Sequence, residues 1–244
     1  MTFTSDLTID EILLVEQAGF EPVELVMGAS YFHVGYQSLI WKQNEELLPL
    51  SRVMYEARHQ AMTALDQQTR AARADGVVAV RLEVELSGHE AEFVAIGTAV
   101  RRRDGQGAAF HTAAGAPFTC SLSGEDFWAL IHAGMRPVSL AMGVCVYHVA
   151  NQSIAQWFRQ VASNVEHEGF TQGLYTARET AMERMQAEAQ AAGATGVLDV
   201  QVTEQGWSWH SHVMELLAVG TAVAPMPQGF AAEPTQVQPV VMVR

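Results

Sequence analysis

Apolar positions along the chain follow two alternating periods, and the order of the periods predicts the order of the elements. Residues 51 to 74 carry Ala57, Ala61, Met62, Leu65 and Ala72 at helical spacing with charged and Gln positions between them. Residues 174 to 192 repeat the stripe with Ala177, Ala181, Met182, Met185 and Ala189, so a long amphipathic helix is expected in each place. From Val80 to Leu86 the apolar residues alternate strictly with Arg81, Glu83 and Glu85, the pattern of a strand with one buried face and one wet face. Ser87-Gly-His-Glu90 turns the chain back into a strand, Glu92 to Val100. This returning strand is apolar or small on both faces, with Phe93, Ala95 and Gly97 on one and Val94, Ile96 and Val100 on the other. Residues Val213 to Val223 have the same character. A strand apolar on both faces needs cover on both, and one helix layer covers only one, so the other half of the chain or another subunit must pack there.

Upstream of each stripe stands a shorter set of signals. Thr8-Ile-Asp-Glu11 has a hydroxyl at the N-cap and Glu three residues on, a capping box that starts a short helix ending at Gly19. Ser123 before Glu125 and Asp126 opens a similar helix that closes at Gly134. The apolar runs Val23 to Val34 and Val138 to Val149, each with a Gly inside, predict a strand. Gly76 and Gly196 are expected to release the two long helices at their C-termini.

These parallels are a duplication. Residues 14–40 match residues 129–155 at 11 of 27 positions without a gap, each shared residue recurring 115 positions later. Residues 57–80 match 177–200 at 10 of 24 with an offset of 120, and AIGTAV at 95–100 meets AVGTAV at 218–223 with an offset of 123. Insertions confined to two places imply one fold built twice. The expected architecture is α+β: two tandem repeats, each a short helix, a strand, a long amphipathic helix and a β-hairpin packed as a small sheet with helix. Repeat one spans 1–104, a Gly- and Ala-rich linker 105–117, repeat two 118–225, and an extended C-terminal tail 226–244. With three of the eight prolines, that tail holds too little for a core and is expected to dock as an arm on a neighbouring subunit through Val237 to Val243 or to trail.

Charge narrows the partners. The 244 residues hold 14 basic against 27 acidic side chains, a formal net charge of −13, which repels phosphate backbones and anionic lipid. No nucleic acid and no membrane is expected as partner, and the run Arg101, Arg102, Arg103 reads as a solvated strand end. Two cysteines without a Cys-x-x-Cys spacing, no secretory leader and no apolar run long enough to span a bilayer point to the cytoplasm.

Ala57-Arg58, Ala61-Met62, Ala74-Asp-Gly-Val-Val78 and Gly97-Thr-Ala-Val100 resemble the signature of the YbjQ-like family, usually labelled putative heavy-metal-binding domain. Repeat two resembles it as well, through Ala177-Arg178, Ala181-Met182, Gly193-Ala-Thr-Gly-Val197 and Gly220-Thr-Ala-Val223. The resemblance covers about 100 residues of each repeat. It implies small α+β units that assemble into pentameric rings, hence a homo-oligomer with a pentamer favoured. The fusion of two units in one chain departs from the family pattern; stacked fivefold layers are the expected arrangement.

Candidate chemistry is sparse. Cys145 and His148 stand three apart and His210 and His212 two apart, half-sites for a divalent transition metal, the one cofactor these residues suggest. Cys145 replaces Ser30 of the first repeat and reads equally as a small hydrophobe. His33 and His148 recur at equivalent positions, as metal ligands or as buried imidazoles that satisfy backbone groups. Trp207 and Trp209, beside the second histidine pair, suggest an aromatic patch for a protein partner. Arg58 and Arg178, expected in the first turn of their helices, need a compensating partner: a Glu of a neighbouring strand or subunit, or a small anionic ligand. No nucleophile elbow, phosphate loop, His-Glu-x-x-His or paired-carboxylate motif occurs. The expected protein is a non-catalytic, ring-forming scaffold or partner-binding assembly; the alternative is a heavy-metal or small-anion binding protein with sites between subunits.

Overall fold

The computed structural model describes residues 4–33, 44–87, 90–149, 168–207 and 210–227. Along them run α1 (Ile9–Gln17), β1 (Phe20–His33), β2 (Glu45–Glu46), α2 (Leu48–Ala71), β3 (Gly76–Ser87) and β4 (Glu90–Arg102). A 3-10 turn at Gly107–Phe110 and β5 (Phe118–Thr119) lead to α3 (Gly124–His132), β6 (Met135–His148), α4 (Glu168–Ala191), β7 (Gly196–Trp207) and β8 (His210–Pro225). The strands form two four-stranded sheets, ordered β1-β4-β3-β5 and β2-β6-β8-β7. The architecture is α+β with the same unit laid down twice.

The capping box closes as its residues require. The Thr8 hydroxyl accepts from the Glu11 amide, and the Glu11 carboxylate accepts from the Thr8 amide at 2.8 Å. Ser123 caps α3 by accepting from the Asp126 amide at 3.1 Å. Both short helices end at a left-handed glycine, Gly19 at φ 86 and Gly134 at φ 75. The long helices end differently from the sequence expectation. Their left-handed residues are Arg73 (φ 56) and Gly193 (φ 81), whereas Gly76 and Gly196 already begin β3 and β7. At Gly76 the constraint is steric, because a Cβ there would lie 2.3 Å from the Phe118 ring.

Gly28 of β1 and Gly143 of β6 seat the long helices. A Cβ at Gly28 would fall 2.0 Å from the Ala61 carbonyl oxygen, and one at Gly143 would fall 1.9 Å from that of Ala181. The small residues of the helix stripe, Ala57 and Ala61 in α2 and Ala177 and Ala181 in α4, permit this approach and are fully buried.

Layers then stack in the order first sheet, α2, second sheet, α4. Helix α2 packs on β1 and β4 with one side and on β6 with the other, while α4 packs on β6, β8 and β7. One core cluster accordingly joins Val26, Phe93 and Ala95 of the first sheet, Met54 and Leu65 of α2, and Leu140, Val144 and Leu217 of the second sheet. The two-sided apolar strand β8 is thus covered on both faces within the chain.

The segment between the repeats is built into the core. Phe110 and Phe118 meet Phe20 edge to face with ring centroids at 5.1 and 5.8 Å, and Phe127 joins at 5.2 Å. β5 pairs in parallel with β3, so the opening residues of the second repeat complete the first repeat's sheet. The Met226 amide donates to the Gly134 carbonyl at 2.9 Å. The tail from 228 onward lies outside the described residues.

Candidate assembly interface

The polar chemistry of this chain concentrates where α2 meets the second sheet. Arg58 sits about three turns into α2 rather than in its first turn. Burial, not the helix dipole, is therefore what demands a partner. Its guanidinium is 1% exposed and pairs with the Glu215 carboxylate of β8, also 1% exposed. It donates to the Met54 carbonyl at 3.3 Å and lies 4.9 Å from the Phe93 ring centroid. Leu82 and Val84 on one side and Thr203 and Leu217 on the other line the same small cavity. Two opposite charges taken out of water together are tolerable only as a pair, so the contact fixes which surfaces may meet.

Further along α2 the Val146 amide donates to Ser51 Oγ at 2.8 Å, and the Tyr55 hydroxyl donates to Glu188 of α4 at 2.7 Å. Arg184 of α4 reaches past the sheet to Glu46, with Nη1 and Nη2 at 2.5 and 2.9 Å from the carboxylate oxygens, and also donates to the Val144 carbonyl at 2.6 Å. Between these groups lies a cavity of about 570 Å³ whose lining includes Tyr55, Met142, Val144 and Glu188. Burial pushes the Glu188 carboxyl up and the Tyr55 phenol up with it, Glu188 adding to the latter. Burial also acts to raise Glu46, but hydrogen bonds from Arg184 and Ser51 and the attraction of Arg184 outweigh it and hold that carboxyl below its ordinary value.

Of the candidate metal ligands, Cys145, His148 and His33 are not brought together. β6 runs without irregularity from Ser139 to His148, so Cys145 and His148, three apart, face opposite sides of the sheet. Cys145 packs against Ala177 and Ala181 of α4. Burial pushes its thiol up to about 12, with the Glu46 charge acting in the same direction. His148 is fully buried, and His33 ends β1 in the other sheet. The side chains of Trp207, His210 and His212, and all of Trp209, lie outside the described residues. Among the described residues no group of three or more His, Cys, Asp or Glu is placed to hold a metal. Arg178 is exposed on α4.

Sequence reading named Arg58 but missed Glu215, Glu46, Arg184, Tyr55 and Glu188. Glu215 was findable, because it recurs as Glu92 at the hairpin offset of 123 inside an otherwise apolar strand. Arg184 carried no such signal; its counterpart is Ala64.

The described residues form a duplicated α+β unit with a buried ion pair, Arg58 with Glu215, between its copies. The chain belongs to the YbjQ-like family, whose model, described as "Putative heavy-metal-binding", matches residues 4–103 and 139–225. It is 43% identical over 242 residues to a protein of Mycobacterium tuberculosis (strain ATCC 25618 / H37Rv) named "Encapsulin nanocompartment protein Rv1762c", an alignment that covers 98% of this chain and 92% of that protein. Among the described residues no helix is long and apolar enough to cross a membrane.

Proposed function

We propose that this chain is a non-catalytic, cytoplasmic building block of a ring-shaped homo-oligomer that serves as a scaffold. The observation that carries this reading is the outer face of the first sheet, where Leu25, Met27 and Tyr31 are 36, 47 and 61% exposed. Uncovered apolar surface of this kind is costly at ~25 cal/mol per Å² and marks a place of association. The relative named as a nanocompartment protein supports a structural role, and the family supports rings, with five chains favoured. The two repeats contact one another side by side, helix under sheet. That seating favours a single ring in which the repeats alternate, rather than the stacked layers expected from sequence. Light scattering at micromolar concentration tests the proposal: a mass several times 26.6 kDa is expected, and a stable monomer of 26.6 kDa overturns it.

A further inference from the structure

The seam inside the chain has a second set of its parts at the chain's two open sides. On α2 the outward residues are Tyr55 and Arg58; on α4 the same places hold Tyr175, 60% exposed, and Arg178, also exposed. The face of the second sheet that covers α2 presents Leu140 and Met142, 4 and 2% exposed, together with the buried Glu215. The matching face of the first sheet presents Leu25 and Met27, 36 and 47% exposed, and an exposed Glu92. The offsets are those of the duplication, 120 for the helix residues, 115 for the first strand and 123 for the last. Among the described residues neither Arg178 nor Glu92 enters an ion pair, whereas their counterparts Arg58 and Glu215 pair with each other.

We infer that the outer face of the first sheet seats on α4 of a second copy of this chain, with Glu92 of one copy paired to Arg178 of the other. The inference rests on the assembly reading above and supplies its joint. Three features of the molecule select this occupant. The internal seam shows that this helix face and this sheet face fit when each belongs to the other repeat. The two open surfaces carry opposite charges at positions that the seam would bring together. The seam is also heterologous, using a helix on one side and a sheet on the other, so every copy offers one of each and the contact propagates until it closes. A ring made this way contains an even number of repeats, two from each chain.

Charge reversal tests the joint without touching the internal pair. Glu92→Arg and Arg178→Glu, both at exposed positions, are each expected to reduce the native mass to that of the 26.6 kDa chain with the circular dichroism spectrum retained. The double variant Glu92→Arg/Arg178→Glu restores the pair in swapped order and is expected to recover the wild-type mass. Met27→Glu, on the same face but away from the pair, is expected to dissociate the assembly as well. If the wild-type chain assembles and all these variants keep its mass, the joint is wrong and the assembly reading stands. If the single reversals dissociate the assembly and the double variant stays dissociated, the pairing of Glu92 with Arg178 is overturned. A wild-type chain that is itself 26.6 kDa overturns both readings.

Discussion

β1 and β6 are copies of one strand in two environments. They share Pro22/Pro137, Leu25/Leu140, Met27/Met142, Gly28/Gly143 and His33/His148, yet β6 is buried along nearly all its length while β1 buries only Phe20, Val26 and Gly28. Both have a long helix seated on the glycine side. Only β6 has a second helix, α2, on its other side. Exposure in this chain is therefore set by place in a row of repeats and not by local sequence. Under the proposed joint, an apolar residue that looks misplaced on β1 is covered by the next member of the row.

The largest expected difference between the two seams comes from their charges. Removing Glu215 by Glu215→Ala strands a guanidinium that is 1% exposed, and breaking such a buried pair costs about 4 kcal/mol. Denaturant unfolding should show this loss at every protein concentration. Glu92→Ala removes an exposed carboxylate, and in the separated chain it should change stability by less than about 0.5 kcal/mol. Any further loss in Glu92→Ala should grow with protein concentration. Equal, concentration-independent losses in both variants would erase the comparison.

The glycine seats should behave alike, because they lie on the side where the two repeats agree. Gly28→Ala and Gly143→Ala each drive a methyl group against a helix carbonyl, and overpacking of this kind costs about 3 kcal/mol. Gly196→Ala meets nothing nearer than Val223 Cγ2 at 3.8 Å and should be close to neutral or slightly stabilising by calorimetry. A large loss at Gly196 would restore the helix-release role that the sequence suggested for it.

How much of this was legible follows the same division. Periods of 3.6 and 2 located α2 and the hairpins to within a few residues and α4 except for its first six, because those elements bury a face inside their own repeat. β2 was not foreseen, since Glu45-Glu46 has no apolar signal and becomes a strand only by pairing with Tyr147 and His148 of the other repeat. β5 was missed for a related reason: Phe118-Thr119 is two residues long and pairs with β3, a strand begun 42 residues earlier at Gly76. Arg73 was missed as a helix stop because a left-handed Arg has no composition cue. The candidate site was half legible. Arg58 was visible through its recurrence and Glu215 was findable through its own, but pairing the two required knowing which repeat faces which.

Leucine truncation separates the two faces by packing alone. Leu140 is 4% exposed within the seam, and Leu140→Ala should cost about 2 kcal/mol. Leu25 is 36% exposed, and Leu25→Ala should cost about 0.5 kcal/mol in the separated chain while lowering the concentration range over which the assembly persists. Comparable losses in dilute samples of both variants would place Leu25 in a core already complete without a neighbour.

Acid should distinguish the internal seam from the joint between chains by the smallest effect. The Glu46 carboxyl is held below its ordinary 4.5, because the hydrogen bonds and charge of Arg184 outweigh the upward push of burial. A carboxyl lowered in the fold contributes stability that is complete above its ordinary value and lost as pH falls through its lowered one. Glu188 runs the other way: burial raises it, so protonation on the way down favours the fold and masks part of the loss. Glu46→Gln isolates the first term. Wild-type protein should lose stability relative to Glu46→Gln only below pH 4.5, measured as the difference in thermal midpoint across an acid series. Arg184 corresponds to Ala64 in the first repeat, so the joint between chains has no such clasp and the native mass should not carry this pH term. A midpoint difference that is flat from neutral pH through the acid range would show that Arg184 holds Glu46 no better in the fold than water does in the unfolded chain.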